Sequence, residues 1–446
     1  MYRTLSAPLI TQVELTEKCP NKCRHCYNYW RTFNTGKFNN FPAKMVDQTL
    51  DKLAEAKIFH LVITGGEPLA NKPVLFSFLK GVEARKLTCG INSTLSGLTK
   101  SDAEYFQESG VMNVLISILG SDEKKHDAIT QSRGSFSRTI DGIKILKNTN
   151  IPISANMVVS ALNIDDIIPT SILVKSLGFK KFFITRAACP SNCIDFNELR
   201  LTREQFTGYL KELHAIQERM GLRTGFLECY PLCGMKELLR YSSFLGRKCL
   251  AGITSMTIGP TGEARPCSHL DKVYGNIFKE NIREVWSRMT EWRHQSLLPD
   301  ICKSCRIVNY CGGGCRMEAK TLGGGINEID PFAEPANVEY ATEQLAILHR
   351  RKLAKKDELP KFCRINPSLR VRNESFGGVF FVGDKSSGLV ESPVMDFVGR
   401  LDKRQIYEVD FLTAEINRSL SSVNITKFLN RMFKEKIFVA ISGDHV

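Results

Sequence analysis

The residue types that could do chemistry here are the cysteines. Cys19, Cys23 and Cys26 fall within eight positions in TEKCPNKCRHCYNYW, spaced C-x3-C-x2-C. A second set lies far downstream. Cys249 and Cys267 bracket CLAGITSMTIGPTGEARPC, with Gly262 five residues before Cys267, and CKSCRIVNYCGGGC supplies Cys302, Cys305, Cys311 and Cys315 as C-x2-C-x5-C-x3-C. Clustered thiolates hold zinc or iron–sulfur centres. Structural zinc normally takes four protein ligands. Three thiols without a near fourth suit a four-iron cubane that keeps one iron open, the alternative being a zinc loop that borrows a remote ligand. On spacing alone the downstream set fits a zinc ribbon or a ferredoxin loop.

Composition narrows the setting. Fifteen cysteines in a chain of 446 residues, with no signal-peptide-like apolar core in MYRTLSAPLITQ, point to a reducing, cytoplasmic location and to metal rather than disulfides. No apolar run approaches the ~18 residues of a membrane span. The net charge of +14 admits nucleic acid, an anionic cofactor or an acidic peptide as partner. The basic residues are dispersed, however. The densest run, HRRKLAKK at 349–356, reads as a solvated helix face or linker, so neither nucleic acid nor membrane is an expected partner.

The elements that must carry the first cysteines alternate in type. Strand patterns at 9–15, 60–64, 87–94, 111–119, 152–159 and 180–186 are separated by helical patterns at 43–58, 73–86, 99–110, 136–148 and 164–177, and Thr202 opens a further helix. Thr99 and Asp102 form a helix start signal and Gly110 a stop. Six such units predict an α/β fold, a partial (β/α)6 TIM-type barrel. Its ligands would bind at the carboxyl ends of the strands, where the cysteine loop falls. From about residue 226 to 335 cysteine, glycine and proline rise and helical periodicity fades, as in a metal-stapled domain.

The C-x3-C-x2-C loop resembles the signature of the radical S-adenosylmethionine (radical SAM) family, and Gly65-Gly66-Glu67-Pro68 after the second strand resembles its SAM-binding turn. There a carboxylate or a carbonyl would accept from the SAM ammonium, and the glycines would permit close approach. INSTL (91–95) resembles a further family segment, with Ser93 where glycine is usual, and ISILGSDEKKHD (116–127) another, with Leu119 in place of the usual Asp. By this resemblance Gly65, Gly66, Glu67, Pro68, Asn92 and Ser117 contact SAM, and Asn156 is a weaker candidate. Cys19, Cys23 and Cys26 hold a 4Fe-4S cluster whose open iron SAM fills. No catalytic acid or base is indicated.

The downstream cysteines resemble the SPASM extension of radical SAM peptide maturases. That resemblance assigns Cys249, Cys267 and Cys315 to one auxiliary 4Fe-4S cluster and Cys302, Cys305 and Cys311 to a second. The chain departs from the pattern at EIDPFAEP, where Ala333 stands for the expected last cysteine. Asp330, Glu328 or Glu334 could ligate through oxygen, the iron could stay open, or the second cluster could be absent. Cys233 is the candidate fourth ligand of the first auxiliary cluster; otherwise that site is open for a substrate thiolate. Cys89, Cys189, Cys193, Cys229 and Cys363 read as buried thiols, with Cys189 and Cys193 near the expected active site.

The last unit has strand signals at 376–382 and helical patterns near 391–401, 410–419 and 424–436. It resembles PqqD-like peptide-recognition modules, α+β winged-helix-like domains that add a leader peptide to a sheet edge. The expected organisation is 1–225 radical SAM barrel, 226–335 SPASM domain, 336–363 linker and 364–446 recognition domain. The resemblance implies modification of a ribosomally made precursor peptide by crosslinking, epimerisation or excision. It also implies a reductase such as flavodoxin or ferredoxin, and it allows a separate accessory protein. Maturation of a folded protein of the sulfatase type, or of a cofactor, is the alternative. A metal-stapled nucleic-acid-binding protein is the remote one.

Overall fold

The computed structural model describes residues 3–28, 30, 37–189, 196–354, 358–420 and 424–441. It divides into two compact units, Met1–Arg350 and Arg351–Val446. The first unit opens with β1 (Ile10–Glu14), α1 (Val46–Glu55), β2 (His60–Thr64), α2 (Lys72–Ala84), β3 (Thr88–Ser93), α3 (Lys100–Glu108) and β4 (Val114–Ser117). It continues with α4 (Glu123–Thr130), α5 (Ser135–Leu146), β5 (Ile153–Val159), α6 (Ile167–Ser176), β6 (Lys181–Arg186), α7 (Arg203–Met220) and β7 (Arg223–Phe226). The expected alternation is present, and β1 to β7 pair in parallel in chain order. Two differences stand out. The short, highly charged helix α4 carries no periodic apolar stripe long enough to read. A seventh strand, β7, follows α7.

Local chemistry sets the element ends. Thr99 Oγ1 accepts from Asp102 N (3.3 Å) and Asp102 Oδ2 accepts from Thr99 N (2.7 Å), the reciprocal cap predicted for α3. Thr202 and Gln205 repeat it on α7.

The sheet extends beyond β1 on its other edge. β8 (Ser255–Ile258) pairs in parallel with β1, and β9 (Glu263–Arg265) and β10 (Gly275–Asn276) follow in antiparallel fashion. The ten-stranded order is β10-β9-β8-β1-β2-β3-β4-β5-β6-β7. The cysteine-rich segment thus adds strands to the barrel sheet. It is completed by α8 (Ile282–Ser287), α9 (Asp300–Lys303), α10 (Val308–Cys311) and α11 (Arg316–Leu322), and α12 (Val338–Ala354) follows. The basic run from 349 lies on α12 as far as residue 354.

Strand register separates two faces. Val13, Leu61, Ile63, Cys89, Ile91, Val114, Ile116, Ala155, Phe182 and Ile184 are fully buried and form the hydrophobic core with the helices. The alternate residues, among them Glu14, Thr64, Asn92, Ser117, Asn156 and Thr185, line the other face. This face is polar toward the carboxyl ends of the strands.

The second unit contains β11 (Phe362–Ile365), β12 (Leu369–Glu374), β13 (Gly377–Val382), β14 (Lys385–Glu391), α13 (Ser392–Arg400), β15 (Tyr407–Glu408), α14 (Val409–Ser419), α15 (Ile425–Lys434) and β16 (Phe438–Ile441). Its two antiparallel sheets run β15-β11-β16 and β12-β13-β14. They share a core with the three helices that includes Cys363, Phe380, Phe397, Leu412, Leu429 and Phe438.

Candidate active site and thiol clusters

The three-cysteine loop leaves the carboxyl end of β1. Cys26 N donates to Cys23 O (3.1 Å), and Lys22 N and Arg24 N donate to Thr130 O and Ile129 O, so the end of α4 supports the loop from below. The Gly65–Pro68 turn packs directly on the stretch before Cys19. Gly66 N donates to Thr16 O (2.6 Å) and Glu67 N to Lys18 O (2.9 Å). A Cβ on Gly66 would lie 2.2 Å from Lys18 O, and Gly65 has φ +137°, so neither position admits a side chain without moving the cysteine loop. Asn28 Nδ2 donates to Gly65 O (3.1 Å), tying the far end of the loop to the same turn.

Glu67 is held inside the turn. Its buried carboxylate accepts from Leu69 N (3.2 Å), Ser93 Oγ (2.6 Å), Thr94 N (2.7 Å) and Thr94 Oγ1 (2.6 Å). Burial raises its pKa, and the bonds from Ser93 and Thr94 oppose that rise. The carboxylate therefore braces the turn against β3. Ser93, the departure noted in the sequence, supplies one of the four donors. Thr94 supplies two and was missed. Pro68 is buried and begins the short helical turn Pro68–Asn71.

Further along the polar face, Ser117 stands in register with Asn156, whose Oδ1 accepts from Thr185 Oγ1 (2.8 Å). Asn92 lies one strand before, beside Leu115 in register. Leu119 is buried; its N–H donates to His126 Nδ1 (3.2 Å). Burial pushes His126 down to about 4, which keeps that nitrogen free to accept. Glu14, at the end of β1, and Arg265 of β9 form a salt bridge with both side chains fully buried. Burial pushes Glu14 up to about 7 against the pull of Arg265. Arg265 also donates to Ser268 O (2.9 Å) and Leu270 O (3.2 Å), and His269 stacks on Tyr27 at 4.8 Å. The segment after Cys267 is thereby joined to the segment after Cys26.

Eight of the remaining cysteines fall into two groups. Cys229 lies beside Cys249 and Cys315, and Cys267 feels the charges of Cys249 and Cys315. Contact with Cys229 holds the Cys249 thiol at about 7, whereas burial pushes Cys267 up to about 12. The second group is Cys233, Cys302, Cys305 and Cys311, which line one cavity together. The sequence pattern assigns Cys233 to the first group and leaves Cys229 as a buried thiol. The structure places Cys229 with the first group and Cys233 with the second. The cause is Tyr230, buried and stacked on Phe206 of α7 at 3.6 Å, which anchors the loop between the two cysteines. Burial pushes the Cys302 thiol up, and the buried Arg316 guanidinium opposes that rise. All-sulfur donors with a buried guanidinium behind them fit iron–sulfur clusters. Among the described residues no three Cys, His, Asp or Glu side chains close on a single ion. Cys89, Cys189 and Cys363 are buried in apolar surroundings, and Cys193 lies outside the described residues.

A partial parallel barrel with a three-thiol loop after its first strand, a glycine turn against that loop and eight further thiols in two sets fits the class of iron–sulfur proteins. A model of the radical SAM superfamily matches residues 13–171, and one of an iron–sulfur cluster-binding domain, SPASM, matches 249–306. The chain thus carries a radical SAM domain and a SPASM domain over those residues. It is 26% identical over 347 residues to an AdoMet-dependent heme synthase of Methanosarcina barkeri, covering 74% of this chain and 98% of that protein. It is 24% identical over 345 residues to a PqqA peptide cyclase of Ruegeria pomeroyi, covering 74% and 87%. The fold is that of Streptococcus suis SuiB, solved with its precursor peptide SuiA (TM-score 0.60, 18% identity, 74% of this chain and 77% of that one). It is also that of anSMEcpe with bound AdoMet (TM-score 0.61, 18% identity, 77% and 100%). No helix among the described residues is long and apolar enough to cross a membrane.

Proposed function

We propose that the chain is an enzyme that cleaves S-adenosylmethionine reductively and abstracts hydrogen from a ribosomally synthesised precursor peptide. The observation that carries this is the seating of the Gly65–Pro68 turn on the cysteine loop, through two backbone hydrogen bonds that the turn donates to carbonyls before Cys19. A 4Fe-4S cluster on Cys19, Cys23 and Cys26 supplies, when bound, the electron that breaks the carbon–sulfur bond of SAM and releases a 5′-deoxyadenosyl radical. The chain's own residues position and shield. The carbonyls of the glycine turn accept from the SAM ammonium, and Asn92 and Ser117 orient the nucleoside on the polar face. The Glu67 brace keeps the turn rigid. Cys229, Cys249, Cys267 and Cys315 hold the first auxiliary cluster.

The peptide substrate is supported by the SPASM domain and by the PqqA peptide cyclases among the relatives. The second unit is the recognition module in this reading. β12 and β14 are the edges of its sheet and offer strand pairing to a leader. Electrons come from a reductase of the flavodoxin or ferredoxin type. The heme synthase relative favours a second reading, maturation of a tetrapyrrole cofactor. The test is deuterium transfer into 5′-deoxyadenosine with a deuterated precursor peptide, one encoded beside this gene, or a deuterated porphyrin as substrate. Transfer from the peptide supports the first reading, and transfer from the porphyrin alone overturns it. Cys23→Ala is expected to abolish SAM cleavage while retaining auxiliary iron.

A further inference from the structure

The departure at Ala333 leaves the second auxiliary site one thiolate short in the sequence. The structure fills the place from a distant part of the chain. We propose that Cys233 is the fourth ligand of the cluster held by Cys302, Cys305 and Cys311, standing in for the cysteine that Ala333 replaces. This rests on the SPASM reading of the site.

The geometry is specific to this position. Cys233 lines the same cavity as Cys302, Cys305, Cys311 and Ala333. Leu232 N donates to Cys311 Sγ (3.2 Å), so the backbone beside Cys233 already touches one thiol of the set. The Cys233 sulfur lies beside the backbone of Glu334 and near the thiols of Cys311, Cys302 and Cys305. Gly234 packs so closely on Phe332 that a Cβ there would lie 1.8 Å from Phe332 O. The short helical turn Leu232–Gly234 therefore lies against the strand of chain that carries Ala333. Arg186 fixes that stretch by stacking over the Phe332 ring at 4.0 Å. Arg203 fixes it by donating to Pro331 O and Ala333 O, each at 2.9 Å.

The oxygen alternatives are engaged elsewhere. Asp330 accepts from Cys315 N (2.7 Å) and Phe332 N (2.8 Å). Glu334 accepts from Arg203 (3.1 Å) and Asn337 (2.6 Å). Glu328 is exposed, and no carboxylate lines the cavity, whose other walls are aliphatic or glycine. Four thiolates saturate four irons. The second auxiliary cluster then has no vacant iron for substrate, and its role is electron relay.

The test compares anaerobically reconstituted wild type, Cys233→Ala and Cys233→Ala/Ala333→Cys by iron and sulfide content and by electron paramagnetic resonance. The wild type is expected to hold about twelve iron per chain, Cys233→Ala about eight to eleven with the signal of one auxiliary cluster lost or converted to a three-iron signal, and the double variant the wild-type content. Cys233→Ser, which keeps a ligand but changes its atom, is expected to hold its iron with a shifted signal. Full iron and an unchanged spectrum in both single variants would overturn the assignment. About eight iron in the wild type would overturn it too, by showing the second site unfilled. A wild type with zinc and no iron would overturn the SPASM reading itself.

Discussion

Replacing Glu67 by Gln tests whether its carboxylate is a brace or a SAM ligand. The two oxygens each receive one backbone N–H and one hydroxyl: Leu69 N and Ser93 Oγ on one, Thr94 N and Thr94 Oγ1 on the other. Glutamine has the same shape but presents an NH₂ to one of these pairs, whichever way the amide is turned. A hydroxyl can rotate away. A backbone N–H cannot, and an orphaned buried N–H costs about 1–3 kcal/mol. Local opening of the Gly65–Leu95 region should become easier by that amount, roughly 5- to 150-fold in exchange rate. The assay is hydrogen–deuterium exchange by mass spectrometry on peptides spanning 60–98, with SAM affinity measured in parallel by equilibrium dialysis. Ser93→Ala should give a smaller increase and couple to Glu67→Gln by about 0.5–3 kcal/mol in a double-mutant cycle. Exchange unchanged within twofold, with SAM affinity lost, would refute the brace and make the carboxylate the ammonium's partner.

The buried histidine on α4 gives a pH prediction. His126 sits at about 4 in the fold against an unfolded value near 6.5, so the unfolded chain takes up the proton first as pH falls. Its contribution is fully present above about pH 6.5 and is lost toward pH 4, by about 2 kcal/mol between pH 6.5 and 5. His126→Gln should flatten the fall of the thermal midpoint over that interval, and an unaltered slope would exclude His126 as its source. The Glu14–Arg265 pair gives the other. Arg265→Met should destabilise by about 3–5 kcal/mol because it leaves a buried carboxylate without its guanidinium. Much of this should return in Glu14→Gln/Arg265→Met, and equal losses in single and double variants would show the pair to be unimportant.

The barrel was legible because its signals are local: alternating strand and helix periods, and caps such as Thr99 and Thr202 that need only three following residues. The cysteine loop and the Gly65–Pro68 turn were legible for the same reason. What the sequence concealed depends on contacts between distant segments. Cys229 and Cys233 are four residues apart, yet each joins a different set. Only the packing of Tyr230 on Phe206 and of Gly234 on Phe332 decides which. The addition of β8 to the free edge of β1 was equally hidden, since a four-residue strand in a glycine-rich segment gives no indication of its partner.

That added strand has a consequence for modularity. Two family models divide the chain near residue 249, but the protein cannot be cut there. Ending it after the barrel would expose the whole hydrogen-bonding edge of β1, an open template for intermolecular pairing. It would also leave Glu14 without Arg265, Lys52 without its acceptors at Ile277 and Glu280, and Leu5 O without Trp286. The barrel and the auxiliary region match two family models but form one compact unit. Exchange of the SPASM segment between relatives must therefore carry along the matching residues of β1.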